Sequence, residues 1–357
     1  MMIRDLSALT AMRYFAALGV VLYHYGRQLD VAPWLKHAIA NGFMGMPFFF
    51  ILSGFVLVYA SQGRTIGVRD FLARRFARLY PVYAFAWALT GITKIAVATS
   101  GAQLAKTTVV FGGSSLLLVQ AWIPGAAKHW NWPAWSLSCE VFFYAMFPFV
   151  YLSLSRLSTR MLAVLAGVLT ALSALKFYVV AMYAKTTIFR GTLLHTSMGE
   201  YLDQLPVLAI IVFLLGATLG HLYVRGVRVP TSFALPTAVA IAALFVSNGT
   251  VLGLPPSAWL PPLFCVMILA LADMTYELPP FALLLGNASY SMYILQFPLH
   301  DLLYPTVAQP TILGLIGFMV LLTACSIATF LYIEQPAARW IKRGVIRRPL
   351  QTSVQPG

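Results

Sequence analysis

Apolar residues along this chain arrive in long runs separated by short polar or charged segments. The runs lie near 6–26, 43–61, 80–99, 136–155, 161–183, 205–224, 233–248, 258–274, 281–304 and 311–333, with a shorter one at 107–122. Crossing about 30 Å of hydrocarbon takes roughly 20 apolar residues as a helix, so most runs are of spanning length. A membrane span must satisfy its own backbone hydrogen bonds, and the strict alternation of barrel strands is absent, so the runs predict helices. Proline marks several ends, as in Leu254-Pro255-Pro256 and Leu278-Pro279-Pro280.

The run at 107–122 is short and broken by Gly112-Gly113-Ser114-Ser115. If it does not cross and the N-terminus is cytoplasmic, the far side carries only Arg27, Lys36, Lys106, Lys128, Lys185 and Arg190 of the 24 basic residues. Arg13, Lys94 and Lys176 then fall within spans, and the remainder are cytoplasmic, as the positive-inside rule asks. A full crossing at 107–122 would invert every later loop and erase that bias. The expected fold is therefore an all-α polytopic membrane bundle of about ten transmembrane helices plus one re-entrant or half helix. Both termini are placed in the cytoplasm. Residues 1–344 form one transmembrane domain, and 345–357 a basic, disordered cytoplasmic tail lying against anionic lipid.

Composition sharpens this picture. Of 357 residues, 60% are hydrophobic and 10% charged, with mean hydropathy +0.81. Soluble domains carry about 25% charged residues, so no sizeable soluble domain fits. The net charge of +14 sits in short loops where orientation signals belong, which argues against a nucleic-acid partner. Cys139, Cys265 and Cys325 are scattered with no ligand spacing, and no metal is expected. No small-residue cleavage site follows the first apolar run, so that helix is expected to stay as an anchor.

An ionisable group in hydrocarbon costs several kcal/mol or more and marks a functional site by default. Arg13 and His24, eleven residues apart, fall within roughly 20° of one helix face and about 16 Å apart along its axis. The structural alternative is a hydrogen-bonded histidine and an arginine snorkelling to phosphates. A neutral imidazole at that depth can accept the proton of a hydroxyl. Arg74-Arg75-Phe76-Ala77-Arg78 places Arg75 and Arg78 as neighbours on the cytoplasmic approach to the third crossing. Such a pair either contacts lipid headgroups or clamps a phosphorylated ligand, since guanidinium forks bind phosphate bidentately. Trp130-Asn131-Trp132-Pro133-Ala134-Trp135-Ser136 marks an interface belt on the far side, and Glu140 lies about five residues into the following span. By depth alone Glu140 is expected to sit beside His24, orienting the ring and stabilising its protonated form. Ser289–His300 puts hydroxyls and Gln296 inside a late span, where core hydrogen bonding is the favoured role. Glu334 and Arg339 suggest a structural ion pair at the interface. No Walker loop, GxSxG elbow, HExxH or Cys/His metal spacing occurs.

Taken in order, these segments resemble the acyltransferase-3 family of membrane-bound O-acyltransferases. Arg13 to His24 is similar to its Arg, ten residues, His motif, and Arg75 to Arg78 to its Arg-x-x-Arg motif. Phe50-Ile51-Leu52-Ser53-Gly54-Phe55 and Trp135-Ser136-Leu137-Ser138-Cys139-Glu140 look like its second-helix and Trp-Ser-Leu-Ser-x-Glu signatures. Asn287–Tyr293 and Ile333-Glu334-Gln335-Pro336 resemble its late helices. Where many relatives carry a histidine in a late Tyr-x-x-His position this chain has Gln296, which is left outside the catalytic set. The soluble esterase-like domain of some relatives has no counterpart. The resemblance implies a multi-pass enzyme of the inner (cytoplasmic) membrane that moves an acyl group, acetyl in the simplest case, from cytoplasmic acyl-CoA. The acceptor is a hydroxyl of an envelope polysaccharide or its lipid-linked precursor, or of a macrolide-type small molecule. In this reading His24 and Glu140 are catalytic, and Arg13, Arg75 and Arg78 hold the donor. Asn131, Trp135 and Ser136 shape the acceptor entrance. Direct proton abstraction and a covalent acyl-histidine both remain open. A transporter or flippase, and an assembly subunit for glycan export, are the readings from other classes.

Overall fold

The computed structural model describes residues 6–63, 67–96, 105, 107–192, 194–274, 276–303 and 311–345. Nearly every apolar run is a helix. In chain order these are α1 (Ser7–Tyr25), α2 (Pro33–Ala40), α3 (Gly45–Ser61), α4 (Val68–Ala96), α5 (Gly113–Leu116), α6 (Trp135–Ser155) and α7 (Thr159–Met182). They continue as α8 (Met198–Gln204), α9 (Pro206–Val224), α10 (Ala234–Val246), α11 (Pro256–Ala272), α12 (Pro280–Leu303), α13 (Ile312–Thr329) and α14 (Gln335–Val345). Among the described residues, five helical stretches are long and apolar enough to cross a membrane: Pro33–Ser61, Trp132–Ser155, Thr159–Met182, Pro206–Val224 and Ile312–Ile341. The expected tail lies outside the described residues except for Val345, which ends α14.

Local chemistry sets the ends. Ser158, Ser197 and Thr311 cap α7, α8 and α13 by accepting from Met161, Glu200 and Gly314 backbone N–H groups. Pro33, Pro206 and Pro256 sit in first turns, where no N–H is needed. The basic run 69–78 forms the first turns of α4, as the neighbouring placement of Arg75 and Arg78 on one helix face expects. Arg75 and Arg78 are therefore held on a helix.

The segment 107–122 is the exception. A π-turn (Thr107–Gly112) runs into the single α-turn of α5, and a 3-10 turn follows at Gln120–Trp122. Buried Leu118 adopts a left-handed backbone, φ 56°, a conformation that disfavours any side chain and stops the helix. On either side of this segment α4 and α6 run antiparallel. Phe71 stacks on Phe147 (5.1 Å), Arg75 lies over Tyr144 (5.9 Å), and Trp87, further along α4, stacks on Trp130 just before α6 (5.2 Å). The chain therefore returns to the end of the bundle at which it left. The segment is tied there by Trp87 Nε1 to the Gly112 carbonyl (2.9 Å) and by Tyr83 to Ser115 Oγ (2.8 Å).

Directions of the site-bearing helices follow from their contacts. α1 and α12 run parallel: Thr10 meets Gly286 near one end, and Tyr25 donates to the Gln296 carbonyl (3.1 Å) at the other. α4 is parallel to both, with Tyr290 donating to the Leu79 carbonyl (2.7 Å) and Lys94 over Phe297 (5.9 Å). α13 opposes α1, pairing Tyr14 with Thr323 (3.1 Å) and Tyr25 with Phe318 (5.2 Å). Away from the site, α3 and α9 touch backbone to backbone: a Cβ on Gly216 would lie 1.9 Å from the Ile51 carbonyl oxygen. Small residues at such crossings let membrane helices pack by van der Waals contact, where lipid gives no hydrophobic drive. Outside the bundle, Thr187–Ile188 and Thr196–Ser197 form one antiparallel pair, Thr187 opposite Ser197 and Ile188 opposite Thr196.

Candidate active site

Helical spacing builds a half-open cavity of about 250 Å³ between α1, α3, α4, α6 and α12, its wall part polar and part apolar. α1 contributes Leu6, Leu9, Thr10 and Arg13, and α4 contributes Arg75, Arg78 and Leu79. α6 contributes Ser136, Glu140 and Tyr144, and α12 contributes Asn287, Tyr290 and Tyr293. Each set recurs at three- and four-residue steps, so each helix turns one face inward. The cavity extends from Leu6 to Met46, Phe49, Ser136 and Tyr293.

All three arginines expected to hold the donor meet in this space. The Arg75 guanidinium lies over the Phe71 ring (5.4 Å) as well as that of Tyr144, within cation–π reach. Its Nε has no hydrogen-bond partner among the described residues. Tyr144 donates to Glu140 Oε2 (2.5 Å), and that carboxylate lies within electrostatic reach of Arg78, Arg13 and Arg75. Buried Glu334 is also within reach of Arg78 and Arg13 and accepts from Ser291 (3.4 Å). Arg339 instead donates to Gln335 Oε1 (2.8 Å), which corrects the expected Glu334–Arg339 pair. Three cations thus face two carboxylates, leaving one formal positive charge for an anionic ligand.

His24 stands apart from this cavity and is not among its lining residues. Its ring packs edge-on against Trp132 (5.2 Å) and Tyr23 (5.1 Å) and tilts against Tyr25 (6.1 Å). Lys128 lies over the Trp132 ring (5.8 Å) and is paired with Glu200, so the tryptophan is held between the imidazole and an ion pair. The expected contact between Glu140 and His24 is not formed. Ser136 sits level with Tyr293, and Glu140 lies four residues inward along α6. His24 neighbours Tyr25, which bonds Gln296, three residues outward of Tyr293. At about 1.5 Å per residue the two groups differ in depth by roughly 10 Å. Counting from span ends missed this because the outer end of α1 extends a turn beyond the cavity.

A small buried polar closure lies at the end of the cavity marked by Ser136 and Tyr293. Tyr293 OH donates to the Pro133 carbonyl (2.6 Å), and Ser136 Oγ donates to Tyr293 OH (3.0 Å), with all three residues buried. Beside it, Asn131 Nδ2 donates to the Ile294 carbonyl (3.0 Å). Pro298, four residues on, has no N–H to offer that carbonyl, so the asparagine takes the place of the helical donor. Asn131 and Ser136 therefore flank the turn whose Trp132 ring packs on the imidazole. Trp135 packs edge-on against Phe50 (6.1 Å) and does not line the cavity. Sequence reasoning passed over Tyr144, Tyr293 and Glu334 as site residues. The available signals were the four-residue step from Glu140 to Tyr144 and the hydroxyl-rich face of 287–293.

Among the described residues no group of three His, Cys, Asp or Glu side chains could hold a metal ion. A family model described as an acyltransferase domain matches residues 6–331. The chain is 28% identical to acyltransferase MdmB of Streptomyces mycarofaciens, over 98% of this chain and 95% of that protein. It is 28% identical to exopolysaccharide production protein ExoZ of Rhizobium meliloti (strain 1021), over 87% of this chain and 93% of that protein. No solved structure gives a significant match.

Proposed function

The chain belongs to the acyltransferase-3 family and is an acyltransferase, and from that premise we propose that it moves an acyl group from cytoplasmic acyl-CoA to a hydroxyl of an envelope glycan or its lipid-linked precursor. One observation carries this reading: three arginines converge in a cavity that stops one helical turn short of a histidine. Nucleotide phosphates dock on Arg75 and Arg78 with Arg13 adding positive potential. The thioester arm reaches past Tyr293, and the roughly 16 Å from Arg13 to His24 along α1 sets the length it must span. His24 takes the proton of the acceptor hydroxyl as its oxygen attacks the thioester carbonyl. The C–S bond breaks, and the departing thiolate recovers the proton from the imidazolium. Glu140 serves the arginines, and acetyl is the simplest acyl group. ExoZ, whose name ties it to exopolysaccharide production, supports the glycan acceptor.

The same reading puts the arginine end of the bundle in the cytoplasm, with ten crossings, both termini inside and residence in the inner (cytoplasmic) membrane. The antiparallel course of α4 and α6 supports it. A second acceptor class, a macrolide-type small molecule, is favoured by a separate apolar cavity of about 600 Å³ lined by Ala16, Gly19, Gly42, Phe48, Phe245 and Phe264. That volume lies within the range of small-molecule sites, about 300–1,000 Å³. Mass spectrometry of envelope glycans with and without the protein separates the two acceptors.

The test is His24→Ala in lipid nanodiscs with radiolabelled acetyl-CoA. Transfer and CoA release are expected to vanish with the thermal melt unchanged, and full residual activity would discard the assignment. Arg75→Ala/Arg78→Ala is expected to raise the donor KM most, with an effect that shrinks in high salt.

A further inference from the structure

We infer that Gln296 and Asn131 hold the pantetheine arm of the donor, accepting hydrogen bonds from its amide N–H groups as it passes from the arginine cavity to His24. The inference rests on the acyl-CoA reading and adds residues to it.

Both side chains are fully enclosed, Gln296 at 0% and Asn131 at 1% exposure. Gln296 Nε2 donates to the Tyr293 carbonyl (2.8 Å), and Asn131 Nδ2 donates to the Ile294 carbonyl (3.0 Å). Because a carbonyl only accepts, these bonds fix which end of each amide is nitrogen. Gln296 Oε1 and Asn131 Oδ1 are left with no partner among the described residues. A buried unpaired amide oxygen is costly, and native structures hold few of them. Two here sit on consecutive carbonyls of one helical turn.

That turn lies on the path. Tyr293 lines the arginine cavity, and the Gln296 carbonyl accepts from Tyr25, the residue next to His24. Asn131 precedes Trp132, whose ring packs on the imidazole. A ligand extending from the arginines to the ring must pass the Tyr293–Gln296 turn. Its chemistry follows from what is missing: two buried acceptors without partners among the described residues ask for two donors on a slender chain. The pantetheine arm has two secondary amides, each with one N–H, separated by a short alkyl spacer. A glycan hydroxyl would supply donors as well. These oxygens, however, are fully buried and closed to solvent, which favours the arm.

The experiment measures binding of two probes to the full chain in nanodiscs by calorimetry. One is S-ethyl-CoA, which has the arm but no reactive thioester, and the other is adenosine 3′,5′-bisphosphate, which keeps a phosphorylated nucleoside but lacks the arm. Gln296→Met keeps the shape and removes the acceptor. It is expected to weaken S-ethyl-CoA about three- to tenfold, the range for one neutral hydrogen bond, and to leave the bisphosphate unchanged. Gln296→Glu, which retains an acceptor oxygen, is expected to restore affinity. On the unaltered protein, S-ethyl-CoA methylated at its cysteamine amide nitrogen is expected to lose a similar factor, a result that needs no variant to fold. Unchanged affinity in the methylated-probe and Gln296→Met arms overturns the inference. So does an equal loss for both probes in Gln296→Met, which marks a structural defect. Failure of wild-type protein to bind either probe removes the acyl-CoA reading, and this inference with it.

Discussion

Glu140→Gln separates two roles for one carboxylate. The contacts put Glu140 among Arg13, Arg75 and Arg78, with Tyr144 donating to it at 2.5 Å. Glutamine keeps the shape and an oxygen for Tyr144 but removes one of the two negative charges facing three guanidinium groups. The formal charge of the cluster rises from one positive to two. A phosphate charge about 8 Å away then gains roughly 1–2 kcal/mol for an effective dielectric constant of about 20–40. The dissociation constant of adenosine 3′,5′-bisphosphate should fall by about tenfold, with a steeper dependence on salt. Without ligand, the unbalanced arginines and the weaker Tyr144 bond should lower stability by about 1 kcal/mol or more. Calorimetry at two salt concentrations and a thermal melt in nanodiscs measure both effects. If phosphate affinity is unchanged or weaker while turnover of bound acetyl-CoA collapses, the carboxylate serves the imidazole and the charge argument is wrong.

Tyr293→Phe removes a hydroxyl that makes two buried hydrogen bonds. At about 1 kcal/mol each, opening of the closure becomes easier by up to about 2 kcal/mol, or roughly 30-fold. Acceptor-free CoA release should rise, and an unchanged rate would show that this closure does not limit access. Gly286→Ala brings a Cβ to 2.0 Å from the Thr10 carbonyl oxygen. Forcing α1 and α12 apart should cost about 1–3 kcal/mol and lower activity, because α1 carries both Arg13 and His24. Gly167→Ala, with no atom within 4 Å, should leave melt and activity intact or raise the melt slightly.

Much of the bundle was legible because a membrane span announces itself by composition. The runs at 6–26 and 205–224 became Ser7–Tyr25 and Pro206–Val224, within a residue or so of their limits. The break in 107–122 was legible from its glycine pair. Short helices such as α2 and α8 were not, since eight or seven residues at the rim carry no spanning signal. Arg75 and Arg78 were legible as neighbours from their three-residue spacing, whereas their sharing a cavity with Arg13 shows only in the fold. The partner of Glu140 was misjudged because sequence gives depth along one helix but not its azimuth relative to the others. Arg13 and His24 show the same limit. They share a helix face, yet the cavity that holds Arg13 ends before it reaches His24.

That ending has a mechanical consequence. Arg13 and His24 are fixed on α1, whose contacts with α12 span both ends, from Thr10 at Gly286 to Tyr25 at Gln296. Moving α1 would carry Arg13 and the imidazole together and could not open a path between them. The segment 130–135 is tied to its neighbours largely through side chains. Pro133 has no N–H, Pro298 leaves the Ile294 carbonyl without its helical donor, and side chains (Asn131, Ser136, Tyr293) make up the difference. Side-chain hydrogen bonds worth about 1 kcal/mol each can exchange for bonds to a ligand far more readily than a helical ladder can break. On the proposed acyl-CoA reading, the donor's own arm replaces the bonds that close the way to His24.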